Sequence, residues 1–236
     1  MSYHNGAKII TDGLAFYLDF SNPKCIAHSS SNAVDLSPNR IPITLTNSSA
    51  NTLIITDKYA EFVPPDTSSA ATYYSAANSY FNTIKNEMTL ETYMYVISDM
   101  GTSVRGVSPR VSESGSPLGF AIATNGLSVE TNVNNATWIT SGITSSDSGF
   151  LKWVHITQTT SVIGNATTTY INGNLVGTMS LLNGIPTSGG GFLIGRGFFG
   201  GAKNYNGRVS FVRVYNRALS SGEILTNYNN IKGRFV

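Results

Sequence analysis

Apolar and polar residues alternate at every second position along several stretches of this chain, the period of a strand with one face in a core. In residues 14–20, Leu14, Phe16, Leu18 and Phe20 fall on one face, with Ala15, Tyr17 and Asp19 on the other; Asn22-Pro23 then breaks the run. Residues 88–97 repeat the pattern, with Met88, Leu90, Thr92, Met94 and Val96 opposed to Glu91, Tyr93 and Tyr95. Residues 151–157 place Leu151, Trp153 and His155 on one side, and in 207–215 Val209, Phe211 and Tyr215 alternate with Ser210, Val212 and Val214. Shorter apolar pieces at 41–45, 53–55, 59–63, 79–84 and 192–195 predict further strands, the third ended by Pro64-Pro65 because proline removes ladder donors. Asn125-Gly126 predicts a two-residue hairpin turn between 118–123 and 127–131. Asn172-Gly173 predicts another between 167–172 and 174–182. The polar stretches 25–39 and 98–117 predict long loops, the second of them exposed.

The helical period stands out once. Ser220 can cap a helix and Glu223, three residues on, completes a capping box. Ile224, Leu225, Tyr228 and Ile231 then line one face, and Gly233 offers a stop. A free helix of this length is marginal in water, so that face must press on a sheet. Strands joined by close hairpin turns, with no composition break that would mark a linker, predict an all-β, two-sheet antiparallel sandwich with a short C-terminal helix, one domain over 1–236.

Charge narrows the possible partners. The formal net charge is +2 and no basic stripe forms, so nucleic-acid binding is not expected. Charged residues are 12% of the chain, about half the usual share. Ser, Thr, Asn and Gly therefore make the surface, which can pack on neighbours at low desolvation cost. Cys25 is the single cysteine, so no internal disulfide forms, and it reads as a small buried side chain. The N-terminal residues lack the pattern of a signal peptide and no stretch approaches a membrane span, so synthesis in a cytoplasm without membrane insertion is expected.

Candidate chemistry is sparse. Retaining glycosidases need two carboxyl groups about 5–5.5 Å apart, and Glu91 sits alone between Leu90 and Thr92; the chain reads as non-catalytic. Calcium wants six to eight hard oxygen ligands. Asp99, Glu113, Glu130 and Asp147 lie in or near Asn- and Ser-rich loops without diagnostic spacing, so no cofactor is expected, calcium stays open and metal ligands are unassigned. His4, His28 and His155 are too scattered for zinc, and His155 is expected to satisfy its nitrogens locally. Asp19 is expected to accept turn amides, and Arg213, on an apolar face, needs an acidic or carbonyl partner if buried. Aromatic faces suit the apolar faces of sugars. Trp138, following Asn134, Asn135 and Thr137 near a hairpin, is the candidate glycan contact, with Asn134 and Asn135 reading hydroxyls; Trp153, in a well-patterned strand, reads as core.

Several segments carry a resemblance. KIITDGLAFYLDFSNPK at 8–24 leads through Asp19 to Asn22-Pro23, and Asp35-Leu36-Ser37 is similar to a "D-L-S-G-N-G" turn, with Pro38 in place of the glycine. MTLETYMYV at 88–96 resembles "FTLEAWV", Trp153-Val154-His155-Ile156 resembles "W-H-H-V", and 170–177 resembles "Y-V-N-G-x-L-V-G". The segment from Asn206-Gly207-Arg208-Val209 through Arg213-Val214-Tyr215-Asn216-Arg217-Ala218-Leu219-Ser220 is the most specific. Together they resemble the concanavalin A-like lectin/glucanase superfamily, in its laminin-G or pentraxin-like branch, above all the versions in tailed-bacteriophage structural proteins. The resemblance implies a jelly-roll sandwich and, less directly, a function. The hydrolases of the family carry an E-x-D-x-x-E strand that has no counterpart here, and laminin-G and pentraxin-like relatives often hold calcium at a sandwich rim. The leading expectation is a virion structural protein of a tailed phage, a decoration, fibre or tail-associated component. It would be made in the host cytoplasm, reside in the virion and bind other virion proteins in symmetric copies, with 98–117 a candidate contact. The alternative is a carbohydrate-binding module recognising host-surface glycans.

Overall fold

The computed structural model describes residues 9–26, 31–46, 52–64, 72–76, 78–81, 83–97, 104–105, 107–108, 122–124, 128–133, 137–144, 151–180, 185, 192–197 and 203–235. The strands of the first half are β1 (Leu14–Asp19), β2 (Ile43–Thr46), β3 (Thr52–Ile55), β4 (Ala60–Val63), β5 (Tyr73–Ala76), β6 (Glu87–Val96), β7 (Val104–Arg105) and β8 (Val107–Ser108), with helix α1 (Asn78–Phe81) between β5 and β6. There follow β9 (Ile122–Thr124), β10 (Ser128–Val133), β11 (Thr137–Thr144), β12 (Trp153–Ser161), β13 (Ala166–Ile171) and β14 (Asn174–Ser180). The chain closes with β15 (Phe192–Ile194), β16 (Arg196–Gly197), β17 (Lys203–Asn204), β18 (Gly207–Tyr215), helix α2 (Ser221–Ile231) and a 3-10 turn, Lys232–Phe235.

The fold is an all-β antiparallel sandwich of the jelly-roll kind. One layer is an eight-stranded sheet in the order β14-β13-β12-β6-β18-β4-β3, with β1 pairing β18 beyond the end of β4. Facing it is the four-stranded sheet β2-β5-β15-β8; a further four-stranded sheet, β11-β10-β9-β7, approaches β13 and β14 through β11. The alternation read from the sequence decides what lies between the layers. Phe16 and Leu18 of β1, Met88, Leu90, Met94 and Val96 of β6, and Val209, Val212 and Val214 of β18 point inward onto Tyr74 and Ala76 of β5 and Phe192 and Ile194 of β15. Phe81 stacks on Phe192 at 5.2 Å and meets Phe16 edge-on at 5.7 Å. Full burial of such side chains contributes about 1.5–3 kcal/mol each, before the entropy of ordering the chain is set against it.

Two glycines are dictated by geometry. Asn172 and Gly173 have φ of 51° and 77°, as the predicted tight turn between β13 and β14 requires. Gly195 has φ 94°, and a Cβ there would lie 2.2 Å from the Phe62 ring.

The structure departs from the sequence reading in several places. Bulges in β1 and β18 put Leu14 on the outer face, away from Phe16 and Leu18, and turn Val209 inward, away from Phe211 and Tyr215. The piece at 79–84, expected as a strand, contains α1, which inserts Phe81 into the core. The stretch 98–117, expected as a loop, contains β7 and β8, which pair with β9 and β15. Strands β5 and β11 were not anticipated. Gly233 does not stop the C-terminal segment, which continues through it as the 3-10 turn. Helix α2 starts at the expected capping box, but its buried residues are Ile224, Asn227 and Ile231, while Leu225 is 45% exposed.

Candidate functional site

The outer face of the eight-stranded sheet carries charged and aromatic side chains, and strand register sorts them into rows. The row nearest the start of α2 is Leu14, Tyr215, Thr89 and Thr159. The next is Tyr17, Arg213, Glu91 and Thr157, and the third is Asp19, Phe211, Tyr93 and His155. Helix α2 and its 3-10 extension lie over these three: Ile224 packs with Leu14 and Tyr215, Asn227 reaches Glu91, Ile231 packs on Tyr93 and Phe211, and Arg234 reaches Asp19. A fourth row, Glu61, Arg208, Tyr95 and Trp153, lies beyond the helix and is half-buried.

Under the helix, Glu91 is the centre of a closed network. One carboxylate oxygen accepts His155 Nε2 at 2.7 Å. The other accepts Arg213 at 3.2 Å, Asn227 Nδ2 at 3.0 Å and the Tyr215 hydroxyl at 3.3 Å. Burial alone would push the Glu91 carboxyl up, yet Arg213 and then His155 outweigh it and hold it below the ordinary range. The Arg213 guanidinium lies over the Phe211 and Tyr17 rings at 4.0 and 4.8 Å, and His155 stacks on Tyr228 at 5.6 Å. Asp19, almost fully buried, accepts Arg234 at 3.0 Å, Tyr17 at 2.5 Å and both the amide and hydroxyl of Ser21. Burial pushes its carboxyl up as well, but Arg234, Ser21 and Tyr17 bring it down below the usual value. With Glu91 filled by donors and shut from solvent, this network is a clasp that fastens α2 to the sheet; a polymer chain has no path to it.

The fourth row, half-buried, is built differently. Arg208 Nε donates to Glu61 Oε2 at 2.7 Å, and the guanidinium carbon lies 4.9 Å from the ring centres of both Tyr59 and Tyr95. Trp153 stacks on Tyr93 at 5.3 Å and meets Tyr95 and Tyr59 at 5.7 Å. Its four side chains come from four neighbouring strands, β4, β18, β6 and β12. At about 4.8 Å per strand they span roughly 14 Å. Rings half-open to solvent, beside a guanidinium and a carboxylate, can stack on the apolar face of a ligand and bond its hydroxyls.

The structure places the expected residues unevenly. Asp19 accepts the Ser21 turn amide as anticipated, and Arg213 finds its acid in Glu91. His155 satisfies Nε2 on Glu91, while Nδ1 finds no hydrogen-bond partner among the described residues. Asp35 resolves the altered turn before Pro38: its carboxylate accepts Tyr17 N, Ser37 N, Ser37 Oγ and Ile41 N. Cys25 is buried, and burial raises its thiol to about 11. Trp153, expected in the core, sits half-buried on the outer face because its strand puts odd-numbered residues there. Asn134 and Asn135 lie outside the described residues. Trp138 pairs through its backbone with Asn132 in β10, and its side chain lies outside what is described. Asp99, Glu113, Asp147, His4 and His28 also lie outside the described residues, as does the Glu130 side chain. Among the described residues, no three His, Cys, Asp or Glu side chains form a metal-ligating group. Among them, too, no helix is long and apolar enough to cross a membrane. Tyr59 and Glu61 were missed, since neither carries a signal until β4 is set beside β18.

Residues 67–225, more than half of the chain, match the model of the concanavalin A-like lectin/glucanases superfamily. No curated protein matches the sequence. Among solved structures, the binding domain of Paraclostridial Mosquitocidal Protein 1 is similar over 94% of this chain and 53% of its own, with a TM-score of 0.64 and 17% identity. Trypanosoma rangeli sialidase is similar over 97% of this chain and 34% of its own, with a TM-score of 0.67 and 18% identity. Domain 4 of AbnA, a GH43 extracellular arabinanase from Geobacillus stearothermophilus, in complex with arabinotriose, is similar over 93% of this chain and 100% of its own, with a TM-score of 0.61 and 12% identity. The chain thus spans about half of the toxin domain and about a third of the sialidase. At such identities the likeness shows a shared fold and nothing finer.

Proposed function

Because this chain belongs to the concanavalin A-like lectin/glucanases superfamily, we propose that it is a carbohydrate-binding module that recognises a glycan without bond chemistry. The observation that carries this reading is the half-buried row of Glu61, Arg208, Tyr95 and Trp153, with Tyr59 against Trp153 and Arg208. Ring faces there would take the C–H face of a sugar, and the Arg208–Glu61 pair offers a donor and an acceptor side by side. The likeness to a whole arabinanase domain that holds arabinotriose supports the same class of ligand. The non-catalytic half is supported by how the acids near this face are engaged: Glu91 and Asp19 are buried in the clasp and Glu61 is paired with Arg208.

A glycan microarray probed with the purified chain tests this. Saturable binding is expected, weakened at least about tenfold, or 1.4 kcal/mol, by Trp153→Ala, with Trp138→Ala as the comparison for the earlier candidate. No reducing sugar should be released from the glycans bound. Release abolished by one Asp or Glu substitution would contradict the non-catalytic reading, and binding untouched by Trp153→Ala would contradict the site.

The virion reading rests on the sequence resemblance to tailed-phage structural proteins. It is compatible with glycan binding, since a virion component that grips a host surface needs such a platform. Flanking capsid or tail genes around the coding sequence would favour it, and their absence would count against it.

A further inference from the structure

We propose that the row Glu61–Arg208–Tyr95–Trp153 selects neutral glycans and discriminates against sialylated ones. The preference rests on the carbohydrate-binding reading above and adds the ligand class to it.

Arg208 is the one cation in the row, and β4 sets Glu61 directly opposite it. Their contact is 2.7 Å, with side-chain exposures of 29% and 16%, so the pair stands at the surface as a neutral unit. Tyr59 and Tyr95 sit 4.9 Å from the guanidinium carbon. Their ring faces hold it in place, which limits its freedom to turn away from Glu61 toward an incoming anion.

A neutral sugar suits this pair. Each hydroxyl can donate and accept, so adjacent hydroxyls can take a guanidinium N–H and give to the Glu61 carboxylate without disturbing the ion pair. A sialic-acid carboxylate does not suit it. To reach Arg208 it must sit beside Glu61, and two carboxylates sharing one cation repel. The alternative, displacing Glu61, leaves that carboxylate half-buried without its partner. Trp153 and Tyr95 stack on either class of sugar equally, since a ring face carries no charge preference for a neutral C–H surface. Affinity therefore comes mainly from the aromatic end of the row, and discrimination from the charged end.

Isothermal titration of the full chain separates the two roles. The probes are neutral gluco-, arabino- and galacto-oligosaccharides and, beside them, sialylated galactosides. The neutral form of a bound galactoside should bind at least about tenfold more tightly than its sialylated form, a difference of 1.4 kcal/mol. Its affinity should change less than about twofold between low and high salt, because no net charge is matched. Glu61→Gln keeps a hydrogen-bonding side chain and removes the repelling charge. It should narrow the gap to within about threefold by strengthening the sialylated ligand, and that gain should fade with salt. Trp153→Ala should weaken every probe alike, with an unchanged circular dichroism spectrum showing that the sheet is intact. A sialylated probe bound more tightly than its neutral form, or a gap that Glu61→Gln leaves unchanged, overturns the preference while carbohydrate binding stands. Failure of the folded chain to bind any neutral or sialylated probe overturns the carbohydrate reading and the preference with it.

Discussion

Glu91, fully buried, holds helix α2 to the sheet through four donors. Between Leu90 and Thr92 it looks like a solitary acid, yet it receives Arg213, His155, Asn227 and Tyr215, from β18, β12 and α2. The need was legible at Arg213, a cation on an apolar face; the partner, 122 residues away, was not. Glu91→Ala leaves Arg213 buried without a counter-charge and should lower stability by about 3–5 kcal/mol in urea melts. A loss under 1 kcal/mol would mean that water or a rearranged helix replaces the pair. The acid limb of stability follows from the same groups. Glu91 and Asp19 are held below their ordinary values of 4.5 and 3.8, and Glu223, bonded by Arg217 and Ser220, is held at about 2. Folded values below unfolded ones mean that the stabilisation is complete above the ordinary carboxyl range and is lost as pH falls through the folded values. Urea midpoints should therefore be flat down to about pH 5 and fall steadily toward pH 2. A midpoint that rises on acidification would contradict the clasp.

At the scale of elements, legibility followed the length of the repeating pattern. Strand β18 was read to its ends, though a bulge between Val209 and Phe211 reverses the alternation and turns Val209 to the core beside Val212 and Val214; the β13–β14 hairpin was marked by its Asn-Gly turn. Helix α1 is four residues long, too short to display a helical period, so its Tyr80-Phe81 pair passed for a strand. Strands β7 and β8 are two residues each and exist through pairing with β9 and β15, which no local pattern can announce. Helix α2 was recognised from its capping box, and hydrophobicity turned Ile224 and Ile231 inward correctly but misplaced Leu225. Leu225 gave way to Asn227, whose amide bonds Glu91, Tyr215 and the Ile10 amide. The buried carboxylate, a polar demand from the sheet, set the rotation of the helix. Three substitutions test that rotation. Ile224→Ala should cost about 2–5 kcal/mol as a core truncation. Ser220→Ala should cost about 0.5–2 kcal/mol as a lost cap. Leu225→Ala, at a position 45% exposed, should cost less than about 0.5 kcal/mol. Denaturant melts that rank Leu225→Ala with Ile224→Ala would place the helix in a different rotation.

For the molecule as a whole, the sandwich was legible because alternation and turn signals agreed along the chain, whereas the candidate site was not. The half-buried fourth row depends on where α2 ends across the sheet and on β4 lying against β18, both products of the tertiary fold. Trp153 was read as core because its strand is well patterned; the same pattern, with the register known, puts it on the outer face beside Tyr95. The protein's two tryptophans thus separate two accounts of where a glycan binds, one at Trp153 and one at Trp138. Titrating the nitrogen-15-labelled chain with a neutral oligosaccharide while following both indole signals, assigned through Trp138→Phe and Trp153→Phe, decides between them. A saturable shift of the Trp153 indole, with that of Trp138 unmoved, is the result expected. A saturable shift confined to Trp138, or none in either with every oligosaccharide tried, would contradict a glycan platform on the fourth row.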